Sequence, residues 1–349
     1  MTHAKFFTKS LIQWHHEDNF RTLPWKQEKD PYKIWLSEII LQQTRAEQGL
    51  PYYLKFIENY PTIQHLAQAN DEAVFRLWQG LGYYNRCKNL LATARFITEE
   101  LKGEFPNNFE SILQLKGIGN YTAAAIASFA YGLPHAVVDG NVNRVLARFF
   151  GIDIPFDTTE GKKHFAHLAQ ELLDVTNSAA YNQAIMDLGA TICKPQKPLC
   201  EECPLQKKCF ALAQEMIELL PVKSKKIQVK HRRFNYYIIK CNERIYIQKR
   251  TAKDIWQNLY EPFLVEDDHS TYHKKLLELS FQAKPKEIGS SKQRLTHQII
   301  EARFFLAAIK KEERIDENGC WVLVKDLKNY AFPKTVVAFF KKIKLLLDE

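Results

Sequence analysis

A chain of 349 residues is long enough for two or three domains, each with its own core. Its 46% hydrophobic and 26% charged residues are ordinary for a soluble globular protein, and no apolar run approaches the roughly 18 residues of a membrane span. The net charge of +9 favours a polyanionic partner without naming one.

The N-terminal MTHAKFFTKSLIQWHHEDNF lacks the basic-then-apolar layout of a secretory signal, so cytoplasmic residence is expected. From Lys5 to about Leu220, apolar residues recur at three and four, which predicts helices. Asp30-Pro31 supplies a cap and a proline at the first helical position. Further helices are expected over 71–79, 85–101, 121–131, 140–150, 161–174 and 180–193. After Pro221 the texture changes: VKSKKIQVKHRRF is a charged connector without periodicity. Past it, 234–241 and 244–250 read as strands around a turn at Asn242-Glu243. A helix over 271–281, strands around 294–309 and 320–327, and a last helix over 335–348 complete the chain. The expected architecture is a mainly α region, residues 1–221, a basic linker, 222–230, and an α+β domain, 231–349.

Four of the seven cysteines lie in one loop, Cys193, Cys200, Cys203 and Cys209, spaced C-x6-C-x2-C-x5-C. Four thiolates in a short proline-containing loop can wrap one tetrahedral zinc ion or one iron–sulfur cluster. A zinc ribbon usually pairs two C-x2-C knuckles, and here one pair has that spacing, so the loop leans toward a cluster. Cys87, Cys241 and Cys320 have no partner in sequence and read as inert core residues.

Two carboxylates stand in unlike settings. Glu38 is the lone acid in the apolar IWLSEIIL; burial would raise its pKa and suit it to general-acid work, unless it snorkels to the surface or meets a core partner. Asp139 follows an apolar run and precedes the helix near Asn141, where helix N–H groups favour the anion; alone, that is an ordinary cap. Together, a neutral and an ionised carboxyl make the pair used to break a glycosidic bond.

LKGIGNYTAAAI joins two short helices through Gly117 and Gly119, whose turn exposes N–H groups at a helix start and suits a phosphate, or is a plain turn. Such a contact reads no sequence, as a protein scanning DNA requires. Gln42-Gln43-Thr44 and Leu81-Gly82-Tyr83-Tyr84 offer amides and an aromatic that could read or wedge base pairs.

WLSEIILQQT, GLGYYNR, LKGIGNYTAAAI, VVDGNVNRVLAR and MDLGA, followed by the four cysteines, resemble in this order the endonuclease III superfamily of helix-hairpin-helix DNA glycosylases, and most nearly the MutY adenine DNA glycosylases. The resemblance covers essentially the whole chain. It implies a six-helix barrel over about 26–134 and a second lobe formed by the N-terminal segment with 135–221, whose loop 193–209 holds a [4Fe–4S] cluster on the four cysteines. Glu38 then falls on the catalytic acid, Asp139 on the stabiliser of the oxocarbenium ion, and Tyr121 and Asn141 on residues that organise the site. Gln43, Thr44 and Tyr83 fall where the family probes the oxidised base, and Arg21, Leu23 and Trp25 near the adenine pocket. Gly117 and Gly119 would grip the backbone.

The implied substrate is adenine opposite 8-oxoguanine, or guanine, in double-stranded DNA, bound by a monomer with no membrane partner. A bifunctional relative carries a lysine where this chain has Tyr121, and a phenol cannot form an imine, so a monofunctional glycosylase is expected. Residues 231–349 resemble the family's Nudix-like recognition domain without the Nudix run of metal-binding glutamates. Leu295-Thr296-His297 stands where the family usually has Phe-Ser-His; Thr296 and His297 are carried over, and Leu295 departs. The alternatives are an endonuclease III-like pyrimidine glycosylase with lyase activity and a non-catalytic iron–sulfur DNA-binding protein.

Overall fold

The computed structural model describes residues 2–224, 229–266, 276 and 278–345. The chain divides into two compact units, one comprising Met1–Tyr53, Asn59–Ala67 and Ala92–Lys226, the other Leu54–Glu58, Gln68–Leu91 and Ile227–Glu349.

In chain order the helices of the N-terminal part are α1 (His3–Glu17), α2 (Pro31–Leu41), α3 (Ala46–Asn59), α4 (Ile63–Gln68), α5 (Asp71–Trp78) and α6 (Asn85–Glu99), then α7 (Phe109–Leu113), α8 (Asn120–Tyr131), α9 (Gly140–Phe150), α10 (Thr159–Leu172), α11 (Ser178–Thr191) and the short α12 (Phe210–Ala213). Their ends follow local chemistry. Asp30 caps α2 by accepting from the Tyr32 N–H ahead of Pro31, and α8 and α9 stop at Gly132 and Gly151, both with φ near +70°. One core gathers Phe7, Leu11 and Trp14 of α1 against α9, α10 and α11. The alanines of α8 bury beside Val137, packed by Tyr121 and Met186. Gly189 lets α11 approach α9 closely: a Cβ there would stand 2.6 Å from Asn141 Cβ and 2.9 Å from its carbonyl oxygen.

The second unit is built on a sheet of β1 (Lys230–Cys241), β2 (Arg244–Lys249), β3 (Tyr260–Glu261), β4 (Phe263–Glu266), β5 (Lys286–Arg294), β6 (Gln298–Ala308) and β7 (Gly319–Leu323), with α13 (Lys334–Lys342) after it. The order is β3-β2-β1-β6-β5, with β4 on β1 and β7 on β2; β1 and β6 run parallel, the other pairs antiparallel. Phe339 of α13 stacks on Phe304 of β6 at 3.7 Å between ring centroids.

Three expectations shift. The strand expected from Phe234 begins at Lys230, inside the expected linker, because parallel pairing with β6 gives its polar residues a complete ladder. Lys286–Arg294 forms an edge strand that its charged sequence hides. The last helix ends at Lys342 within the expected 335–348. The helix expected over 271–281 falls largely on residues outside those described.

Candidate active site

Glu38 sits in the last two turns of α2, 6% exposed, with Trp35, Ile39 and Ile40 also buried. Burial is the main force on its carboxyl, pushing its pKa up to about 7; the nearby Asp139 adds to this, while a hydrogen bond with Tyr121 opposes it. The same surroundings hold the Tyr121 phenol well above its ordinary range, so it stays a neutral hydrogen-bonding group. Asp139 and Tyr121 remain partly exposed, so the set has an open side.

Asp139 is the cap of α9. Its Oδ1 accepts from the Val142 N–H at 2.8 Å and its Oδ2 from Asn141 Nδ2 at 2.7 Å. Burial still raises its carboxyl above the usual range, and those bonds only counter it. The contrast with Glu38 is therefore one of degree, because desolvation raises both carboxyls and only Asp139 is well supplied with donors. Asn141 is held in turn by Arg144, whose Nη2 donates to Asn141 Oδ1 at 2.9 Å and to the Gly189 carbonyl at 2.6 Å. The Arg144 Nε donates to the Cys193 carbonyl at 2.7 Å, so one guanidinium joins the carboxylate's neighbour to the start of the cysteine loop.

Glu38, Tyr121, Asp139 and Asn141 are thus brought together. Gly117 takes φ +80°, and α8 begins without a side-chain cap, which leaves its first N–H groups open. Gln43 is exposed at φ +55° just past α2, while the Thr44 N–H turns back to the Leu41 carbonyl at 3.0 Å. Arg21 pairs at 2.9 Å with Asp187, a fully buried acid of α11 that also takes Lys26 at 2.5 Å and Asn19 at 2.8 Å. That latch holds the segment bearing Leu23 and Trp25, and Trp25 packs edge-on to Tyr53 at 5.3 Å. Asp187 and Arg144 escaped the sequence reading. Asp187 gave the same signal as Glu38, a lone acid in an apolar helix; Arg144 gave none.

The four cysteines line one small cavity with Arg148, Leu199 and Ile217. Arg148 donates to Cys193 Sγ at 3.5 Å and to the Lys194 carbonyl at 2.7 Å. Burial, and then the neighbouring Cys193, Cys209 and Cys200, push the Cys203 thiol up to about 12. Four soft sulfur donors around one cavity have the chemistry of a thiolate-ligated metal centre. Among the described residues, no three His, Cys, Asp or Glu side chains converge as they would on a single ion.

In the second unit, Tyr83 stands 44% exposed at φ +50°, and its hydroxyl hydrogen-bonds that of Thr296. Both line a cavity of about 520 Å³ together with His297, Leu295, Trp256 and Asp254. Arg86 lies over the Tyr83 ring at 5.4 Å and the Trp78 ring at 5.3 Å, which fixes the glycine turn from behind.

Residues 36–173 match the HhH-GPD superfamily of base excision DNA repair proteins, and residues 235–342 match the NUDIX domain. The chain is 33% identical to an adenine DNA glycosylase of Buchnera aphidicola over 334 residues, 95% of this chain and 96% of that protein. Among solved structures, a thermostable thymine-DNA glycosylase superposes with a TM-score of 0.56 at 31% identity, covering 61% of this chain and 97% of that one. An endonuclease III in a non-covalent DNA complex shares the fold, with a TM-score of 0.54 at 19% identity over 62% of this chain and 99% of its own. No helix among the described residues is long and apolar enough to cross a membrane.

Proposed function

The chain belongs to the adenine DNA glycosylases of the HhH-GPD superfamily, and on that premise we propose that it releases adenine paired with 8-oxoguanine, or guanine, from duplex DNA. The observation that carries the chemistry is Glu38, buried with a carboxyl that titrates near neutrality beside Tyr121 and Asp139. Adenine first leaves the stack, at a cost of a few kcal/mol. Glu38 gives its proton to the adenine ring nitrogen at position 7. The glycosidic bond then breaks with its electron pair on the base, which departs neutral. Asp139, held by the α9 cap and Asn141, faces the positive charge left on the sugar. Water adds to the sugar carbon and its proton returns to the carboxylates. Tyr121 orients Glu38 and offers no amine, so the reaction stops at the abasic site.

Cys193, Cys200, Cys203 and Cys209 would hold a [4Fe–4S] cluster, supported by four thiols around one cavity. Bound there, it supplies a cross-link that fixes the loop to which Arg144 and Arg148 attach. The open amides behind Gly117 and Gly119 take a backbone phosphate. Tyr83, Thr296 and His297 receive the base opposite adenine in their cavity.

Glu38→Gln is expected to lower single-turnover adenine release by about 10³-fold while duplex binding persists. Substantial release by that variant would overturn the assignment of the acid. Borohydride should trap no adduct on abasic DNA; trapping would favour the lyase alternative.

A further inference from the structure

Two loops form much of the wall of the 520 Å³ cavity: residues 253–257, and the turn 295–297 between β5 and β6. The first runs in a disfavoured backbone shape. Trp256 has φ +59° and Asn258 φ +71°, in the region bulky side chains avoid. Such a loop keeps its form only where its surroundings hold it. Here the holding groups are two arginines with side chains 10% and 9% exposed, Arg232 and Arg250. Arg250 donates to Asp254 Oδ2 at 2.9 Å and to the Ile255 carbonyl at 3.0 Å.

Arg232 reaches both loops. Its Nη1 and Nη2 donate to Asp254 Oδ1 and Oδ2 at 2.9 and 2.8 Å, and Nη1 also donates to Gln298 Oε1 at 3.1 Å. Gln298 closes the second turn, its carbonyl accepting from the Leu295 N–H at 2.7 Å. Glu266 of β4 takes Nε and the other edge of Nη2, each at 2.6 Å. A planar fork with five donors can serve three partners at once; an ammonium cannot hold that geometry. Arg232 is not among the cavity's lining residues.

We propose that Arg232 is a positioning residue for opposite-base selection, setting the 253–257 loop and the Thr296-His297 turn at a fixed spacing across the cavity. This rests on the reading that the cavity receives the base opposite adenine. The selection between 8-oxoguanine and guanine then depends on a side chain that touches neither base.

The test uses the full-length protein with its metal centre and compares single-turnover adenine release from duplexes carrying 8-oxoguanine or guanine opposite adenine. Arg232→Gln and Gln298→Leu are expected to cut the preference for 8-oxoguanine about tenfold. The loss should lie in half-saturation on the 8-oxoguanine duplex, with the maximal rates nearly unchanged. Arg232→Lys keeps the charge without the fork and should not restore the preference. Glu266→Gln removes a partner that belongs to neither loop; it should lower the melting temperature and leave the preference intact. A merely structural arginine predicts instead that preference follows melting temperature across all four variants, and that result overturns the proposal. Should Arg232→Gln fail to fold, Arg232→Lys decides alone, because Gln298 itself lines the cavity. A wild-type protein without preference would overturn the underlying reading and the proposal with it. A preference insensitive to Arg232→Gln and Gln298→Leu would overturn the proposal only.

Discussion

Glu38 and Arg232 are both ionisable side chains withdrawn from water, and their two units treat them in opposite ways. Glu38 lies in an apolar helix with one phenol as its hydrogen-bond partner and a second acid nearby, so its charged form is penalised and its proton is held to about pH 7. Arg232 is met by two carboxylates and an amide; desolvation lowers its proton affinity, and the Glu266 and Asp254 carboxylates outweigh that and raise it. An under-satisfied buried group becomes reactive, while a fully satisfied one becomes a fixture. On the function proposed above, the helical unit uses the first device for chemistry, and the sheet unit uses the second to hold a cavity wall.

The comparison is sharpened most by stability against pH. Between the ordinary carboxyl range and pH 7 the unfolded chain loses the Glu38 proton while the folded chain keeps it, so stability falls as pH rises and levels off above 7. Glu38→Gln should lack that decline and exceed the wild type by about 3 kcal/mol at pH 8, with near equality at pH 4, in denaturant titrations. Equal stability at both pH values would mean the carboxyl is not under strain. Next in size is Gly189→Ala. Alanine is the better helix former, yet its Cβ would press on the Asn141 backbone and force α11 away from α9, so adenine release should drop about 100-fold and the melting temperature should fall with it. A fully active variant would show that the approach of α11 to α9 has slack.

In the sheet unit, Asn258→Val should cost about 1–2 kcal/mol because valine resists φ +71°, whereas Asn258→Gly should stay within about 0.5 kcal/mol. Calorimetry on the two variants tests whether the loop is held in that conformation. The smallest effect belongs to Tyr121→Phe. The phenol bond favours ionised Glu38, so its loss should move the alkaline limb of the kcat/KM profile to higher pH. A limb that moved down would mean that Tyr121 stabilises the protonated acid instead.

The helices were legible because each begins or ends at a local signal, as Asp30-Pro31, Asp139 and Gly151 show. Glu38 was legible because burying a lone acid in an apolar stretch is costly, and that cost marks the residue on local pattern alone. The rest depended on pairings distant in sequence. Arg232 looked like linker charge because Asp254, Glu266 and Gln298 lie 22 to 66 residues away. β5 was hidden because it is polar on both faces and bonds to one neighbour, β6. Residues 68–91 cluster with the C-terminal strands, which no local pattern announces.

α9 gives the helical unit a mechanical constraint. Asp139 caps its first turn, Arg144 reaches Asn141 and the Cys193 carbonyl, and Arg148 reaches the Lys194 carbonyl one turn later. The helix therefore acts as a keyed shaft about 16 Å long, with teeth engaged at both ends. A single inserted or deleted residue within it would turn one set of teeth by about 100° against the other. Its length is thus as constrained as its composition, and variation in this protein should be tolerated there as substitution and never as a change in count.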